Sequence, residues 1–445
     1  MPALRTAAAF AACLATSGLG ALGASSARAD APPRTLTFQG AIALALGQNP
    51  DIATAAEVAA SAASKVDGIA AKRLPSLHAE LDAHLYREPY TLPFGTAVFT
   101  LYEQFTTTTT VAISQPLTGL AYLSELVGSA RHTATAAHAD YDRARLDVAY
   151  RTADGYLRVL SARGVLDVAT KSVAQLDGEL QRAEKLRAAD TFTDIDVLRF
   201  KSAKAAAEQQ AIRAKATAEA ALGAFVVQLG LHDGDPVDIA DDLPTPPPPL
   251  VLTIEQAQQR ALAARPELRA ATERVAAADA SHTAAREAYV PDVRLTGVYL
   301  HTTGVQPFQP ANTEFLGLTA SWNVWDWGGT HAGVVEAEHQ QAQARIGVAA
   351  LGDQVRLDVR RRWLDARAGF DALGLADTQV KTAEEAYRLQ KVRFDAGAST
   401  TTDVLDAETD VARGRLQFAV ARYDYYVALV ALARAMGDIP AVSGP

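Results

Sequence analysis

Two stretches of this sequence repeat one another, part by part, across most of its length. Leu36-Thr37-Phe38-Gln39 opens a segment that reaches Asn49-Pro50-Asp51-Ile52, and Leu252-Thr253-Ile254-Glu255 opens another that reaches Arg265-Pro266-Glu267-Leu268. Both keep an offset of 216, which still holds from Leu74-Pro75-Ser76-Leu77 to Val290-Pro291-Asp292-Val293. The offset falls to 211 between Arg145-Leu146-Asp147-Val148 and Arg356-Leu357-Asp358-Val359, and to 207 between Asp196-Val197-Leu198 and Asp403-Val404-Leu405, as loop lengths diverge. A duplication of this kind restricts the fold to one unit used twice.

Each copy has the same order of parts. In the first, a short helix (roughly 37–48) precedes a second (51–73). Proline then ends the helical pattern at Pro75 and again at Pro291, because it lacks an N–H and clashes with the preceding turn. The first repeat spans 30–232, with strands at about 76–86 and 107–117 and long helices at about 118–187 and 196–231. The second spans 251–438, with strands at about 292–301 and 317–327 and long helices at about 331–394 and 402–436. Between them, 233–250 ends in Pro244-Thr245-Pro246-Pro247-Pro248-Pro249, a stiff extended linker, and 439–445 is a C-terminal tail.

The strands alternate. Leu77, Ala79, Leu81, Ala83 and Leu85 share one side, and His78, Glu80, Asp82 and His84 the other. Val111, Ile113 and Leu117 share a face in the partner strand. In the second repeat Leu318, Ala320, Trp322 and Val324 do so, with Trp325 and Trp327 at the end like an interfacial aromatic girdle. Lengths of about 9–11 residues suit a tilted membrane strand. The loops 87–109 and 302–316 read as polar connections. The proline-free stretches 118–187 and 331–394 would span about 105 and about 96 Å if wholly helical. In the second return helix Val404, Ala407, Val411, Gly414, Phe418, Ala421, Tyr425, Ala428 and Leu432 alternate by three and four, and the first return helix keeps the same register 207 residues earlier.

The residues ahead of the first repeat are of another kind. Arg5 is the only charge before Arg28, and Ala27-Arg28-Ala29 is a small-x-small pattern. Residues 1–29 read as a secretory signal peptide cut after Ala29, with an N-terminal membrane anchor as the alternative. The lone cysteine, Cys13, lies inside this segment in a poor lipobox, so an intrachain disulfide and a cysteine-built metal or redox site are both excluded. Past the signal no run of 18 apolar residues occurs, so an exported chain of this kind is expected to be periplasmic, extracellular or a β-barrel of an outer membrane. With 42 basic and 51 acidic residues the formal charge is −9, which gives no basis for nucleic-acid binding.

Four strands cannot close a barrel, and an open edge in lipid leaves N–H and C=O groups without partners. Several copies must therefore contribute. Two give eight strands and a filled interior; three give twelve and a lumen, with a quasi-sixfold helical tube beneath. The fold class is accordingly mainly α with a small β part, a duplicated strand-hairpin and long-helical-hairpin unit. The expected assembly is a homotrimeric channel of ring symmetry. The alternative is a structural envelope protein or adhesin built on coiled coils, with 75–117 and 291–327 in water.

The Leu-Thr-x-x-x-Ala openings, the prolines ahead of each first strand and the turn Arg393-Phe394-Asp395-Ala396-Gly397-Ala398-Ser399-Thr400-Thr401-Thr402-Asp403-Val404-Leu405-Asp406-Ala407 resemble the TolC-like outer membrane efflux proteins over nearly the whole chain. The resemblance implies a trimer forming a 12-stranded outer-membrane β-barrel on a periplasmic α-helical barrel, a homotrimeric exit duct in outer-membrane lipid for a tripartite efflux pump or type I secretion system. A periplasmic adaptor and an inner-membrane transporter would be its partners. It places both return turns at the periplasmic tip, where Asp403 and Asp406 match pore-constricting acids, joined by Asp196 and Phe394. Spacing adds that acids three apart share a helix face, so three chains would stack two acidic rings; a solvated acid at a helix start is the plainer alternative. Ser399 replaces an arginine found in some relatives, and Asp190 stands near the place of the turn glycine in the first half. Gly397, Ala398, Ser399, Asp190, Thr191 and Phe192 are the adaptor-contact candidates. No P-loop, Gly-x-Ser-x-Gly or His-Glu-x-x-His motif is present, and the chain reads as a non-enzyme without cofactor or metal. His78 and His84 read as lining a wet lumen, and Tyr423, Tyr425 and Tyr426 as packing the helices.

Overall fold

The computed structural model describes residues 34–189, 191–232, 234–305 and 310–440. The signal segment 1–29, Asp190 and residues 441–445 of the tail lie outside the described residues.

Each repeat opens with a helix pair whose break is written in the sequence. α1 (Phe38–Gln48) is capped by Thr37, whose side chain accepts from Gly40 N, and α2 (Pro50–Ala71) starts with proline at its first position, capped by Asn49. A proline costs nothing there, since its missing N–H would have no helical partner. In the second repeat α5 (Ile254–Ala264) and α6 (Pro266–Arg286) repeat this arrangement. The long helices are α3 (Gly119–Ala188) with its return α4 (Asp194–Gln228), and α7 (Gly329–Asp395) with its return α8 (Thr401–Met436). Among the described residues no helix is long and apolar enough to cross a membrane.

A parallel pair joins β1 (Arg34–Leu36) to β5 (Val237–Ile239), so the Pro-rich linker contains a strand and is strapped to the helical body. Tyr156 Oη donates to Leu36 O and to Ala240 O. Tyr423 Oη donates to Asp241 at 3.2 Å, Tyr425 Oη to Pro248 O at 2.7 Å and Tyr426 Oη to Pro244 O at 2.5 Å. The three tyrosines thus pack the helices and also hold the linker. The main core lies at this level, where Phe38, Tyr156, Phe225, Tyr425 and Leu432 are fully buried.

The large sheet has the order β2 (Ser76–Leu85), β4 (Ala97–Pro116), β6 (Asp292–Val305), β7 (Asn312–Ser321), all antiparallel, with β3 (Tyr90–Phe94) paired to the far end of β4. Three features differ from the sequence reading. Loop 87–109 is a hairpin, not an irregular polar connection. Leu92, Phe94, Val98 and Phe99 supply its apolar and aromatic strand residues on either side of Gly95, whose φ of 64° turns the chain. The expected strand 107–117 accordingly begins at Ala97. The expected strand 317–327 runs instead from Asn312 to Ser321, where it meets the start of β6 at Asp292. Beyond it Asp326 takes bonds from Thr330 N at 2.7 Å and Thr330 Oγ1 at 2.6 Å, and Trp327 and Gly328 adopt φ of 56° and 87° to turn the chain into α7. Trp322 and Val324 therefore share no strand face with Leu318 and Ala320. The Trp-Asn-Val-Trp alternation continued the pattern past the strand's end without continuing its hydrogen bonds.

Candidate functional site

Register sorts the sheet into two unlike faces. Leu77, Ile113, Gly297 and Leu316 stand opposite one another across the four strands, as do Ala79, Val111, Tyr299 and Glu314. On this face Leu77 is 74% exposed, Leu85 77% and Leu316 75%. The reverse face carries Glu80, Asp82 and His84 opposite Thr110, Thr108 and Thr106, with His78 beside them opposite Ala112. An apolar sheet face left in water is a liability of several hundred Å² that folded chains cover. β2 and β7 are the outer strands, each with one edge unpaired. Gly304, at φ 74°, lets β6 approach β4: an added Cβ would lie 2.3 Å from Phe105 O.

The second candidate region is the far end of the long helices. The return turns of the two repeats lie against each other: the rings of Phe192 and Phe394 meet edge to face at 5.4 Å, and Arg182 pairs with Asp395. Leu180, Ala183 and Phe200 form a small core beneath them. Gly397, at φ 71°, ends α7, donating to Phe394 O at 3.0 Å, and Ala398 N donates to Arg393 O at 2.8 Å. Gly397, Ala398 and Thr191 are exposed, and Ser399 and Phe192 half-buried.

Asp403 and Asp196 both close capping boxes. Asp403 accepts from Thr400 N and Oγ1, each at 2.8 Å, and from Ser399 Oγ at 3.1 Å. Asp196 accepts from Thr193 Oγ1 at 2.6 Å and, across the repeats, from Thr401 Oγ1 at 2.7 Å. The backbone N–H and hydroxyl of Thr400 hold the Asp403 carboxyl below the usual carboxylate range, and the Thr193 and Thr401 hydroxyls do the same for Asp196. Both acids are therefore fixed anions at helix starts, and Asp406 is exposed one turn on, on the same face as Asp403. Arg199, the first-half counterpart of Asp406, donates to Thr402 Oγ1 at 2.9 Å. The tip thus gathers Asp196, Asp403, Asp406, Phe192 and Phe394, while His78 and His84 lie on the sheet with the other chemistry.

Sequence reasoning missed a buried polar group between the helical hairpins. Glu408 of α8 and Glu179 of α3 are 5% and 6% exposed. Gln175 donates to Glu408, and Lys391 and Tyr387 of α7 donate to Glu179. The available signal was Glu408's place on the Val404, Val411 line of α8. Among the described residues no group of three or more metal-ligating side chains forms a metal site.

A family model described as outer membrane efflux protein matches residues 41–230 and 257–438, one match per repeat. The outer membrane efflux protein BepC of Brucella suis is 25% identical over 296 residues, 66% of this chain and 63% of that protein. The chain thus aligns with less than two thirds of BepC's length. The outer membrane protein OprJ of Pseudomonas aeruginosa is 25% identical over 399 residues, 82% of this chain and 77% of that one. The solved structure of CusC superposes with a TM-score of 0.78 at 18% identity, covering 90% of this chain and 92% of that one, which shows a shared fold.

Proposed function

The chain belongs to the outer membrane efflux protein family, and from that premise we propose that three copies build a passive exit duct through the outer membrane, closable at its helical tip. The observation that carries this reading is the sheet with one exposed apolar face and two unpaired edges. Both defects vanish together when β2 of one copy pairs with β7 of the next and the apolar face meets lipid. Three copies give twelve strands, the Thr- and His-bearing face then lines a wet lumen, and outer-membrane lipid covers the leucines. A coiled-coil adhesin would leave those leucines in water at a cost nothing repays.

The helices support the same assembly. Ile346, Leu357, Leu364 and Leu375 of α7 are exposed along one line, and α4 exposes Ile195, Leu198 and Ile212. These stripes suit packing between neighbouring copies into a tube. At its narrow end Asp403 and Asp406 would form stacked acidic rings that attract cations and impede anions. The exposed turn at Gly397, Ala398 and Ser399, with Thr191 and Phe192 beside it, would meet a periplasmic adaptor, which joins the duct to an inner-membrane transporter. Asp190 lies outside the described residues and enters only as their neighbour in sequence. The family's description as efflux proteins favours the efflux-pump reading of the duct.

The test is conductance in planar bilayers. The protein should form cation-selective channels, and Asp403→Asn combined with Asp406→Asn should lower cation preference severalfold and relieve block by divalent cations. Channels whose selectivity the double variant leaves unchanged would remove these acids from the aperture; absence of any channel would overturn the duct itself.

A further inference from the structure

Two carboxylates are buried side by side where the first repeat's hairpin meets the second's, and the two cations that face them are each bonded to another carboxylate than Glu408. On the α3 side are Glu179 and the neutral Gln175. On the α7 side are Lys391 and Tyr387, both bonded to Glu179. On the α8 side are Glu408 and Arg415; Arg415 is already held by Glu384 of α7 at 2.7 Å. Lys391 balances Glu179, and Glu408 receives only the amide of Gln175. With Glu408 protonated the buried site is neutral. With Glu408 ionised it holds a second anion beside the first, out of water and bonded to no cation of its own.

We propose that Glu408 and Glu179 form a proton-operated latch between the α3/α4 and α7/α8 hairpins, packed when Glu408 carries its proton and loosened when it does not. The observations converge. Burial, helped by the neighbouring Glu179, pushes the Glu408 carboxyl up to about 7 against the opposing pull of Arg415, Gln175 and Lys391. The ordinary glutamate value is 4.5, so the packed state binds the proton more tightly than a separated, hydrated one. Packing is therefore fully favoured below about pH 4.5 and is lost as pH rises through about 7. The two limits differ by about 2.5 pH units, which is a change of about 300-fold in the packing equilibrium. The latch lies about one and a half turns inside the tip from Asp403, on the helix that carries the acidic ring. The geometry is internal to one chain; only its consequence for flux rests on the channel reading.

The test uses the full chain in detergent or lipid. Spin labels at Lys185→Cys on α3 and Val392→Cys on α7, both exposed, report the separation of the hairpins independently of conductance. The protein is expected to gain a longer-distance population between pH 5 and pH 8 with one midpoint near 7. Glu408→Gln, which fixes the neutral shape, should hold the short distance at every pH. Glu179→Gln frees Lys391 to pair with Glu408 and should move the midpoint down by a unit or more. A distance independent of pH in the unmodified site, or a Glu408→Gln protein that keeps the same midpoint, overturns the latch. Channels that form but show a fixed distance would sink the latch and leave the duct standing.

Discussion

Thr193 and Thr400 stand at equivalent places in the two repeats, and each starts a return helix by trading bonds with an aspartate three residues on. The cap satisfies amides that have no helical partner, and the carboxylate meets the positive end of the helix dipole. Thr193→Ala should cost about 1 kcal/mol at the start of α4, seen as faster amide exchange over 194–198 with the remainder of α4 unchanged. Because Asp196 and Asp403 have depressed pKa values, their capping contribution is present above the ordinary carboxylate value and is lost as pH falls through the depressed one. That loss lies below the Glu408 window and runs in the opposite direction, so the two can be separated by pH. The acids were legible in the sequence: spacing alone put Asp403 and Asp406 on one face, and Thr-x-x-Asp is a recognisable helix start. The Glu179 and Glu408 pair was not, because residues 229 apart in the chain meet only once the rotation of α3 against α8 is known.

At the scale of elements, the helices were legible to within a few residues because proline, asparagine and threonine punctuate them. The strands were less so. Alternation gave β2 its length and its two faces, but the same alternation ran on through Trp322 to Trp327, where the chain has already left the sheet. Within 90–102 the hairpin signal was present and was outweighed by the threonines of a loop read as polar. What alternation did establish is which face is apolar, and this can be tested. Leu81→Arg puts a charge on the exposed apolar face of β2 and should cost about 2–4 kcal/mol if that face lies at mid-bilayer. It should cut the yield of membrane-extracted, protease-resistant assembly, whereas Asp82→Arg, one residue on and on the opposite face, should assemble near normally. Equal loss from both variants would mean that the two faces do not meet different solvents.

For the molecule as a whole, the duplication determines most of the rest. One unit used twice gives a protomer with two strand pairs and two helical hairpins, and besides the Glu179 and Glu408 group three sets of contacts fasten the repeats. The sheet joins them by the β4–β6 pairing, the middle by the tyrosines that hold the linker, and the tip by Phe192 against Phe394 and Thr401 against Asp196. What a single chain leaves open is the pair of sheet edges and the apolar stripes of α4 and α7. Sibling copies would fill them. The mass of the particle released intact from lipid nanodiscs, read by native mass spectrometry, tests this most directly. Three copies per particle are predicted; a single copy, or a pair, would contradict the account.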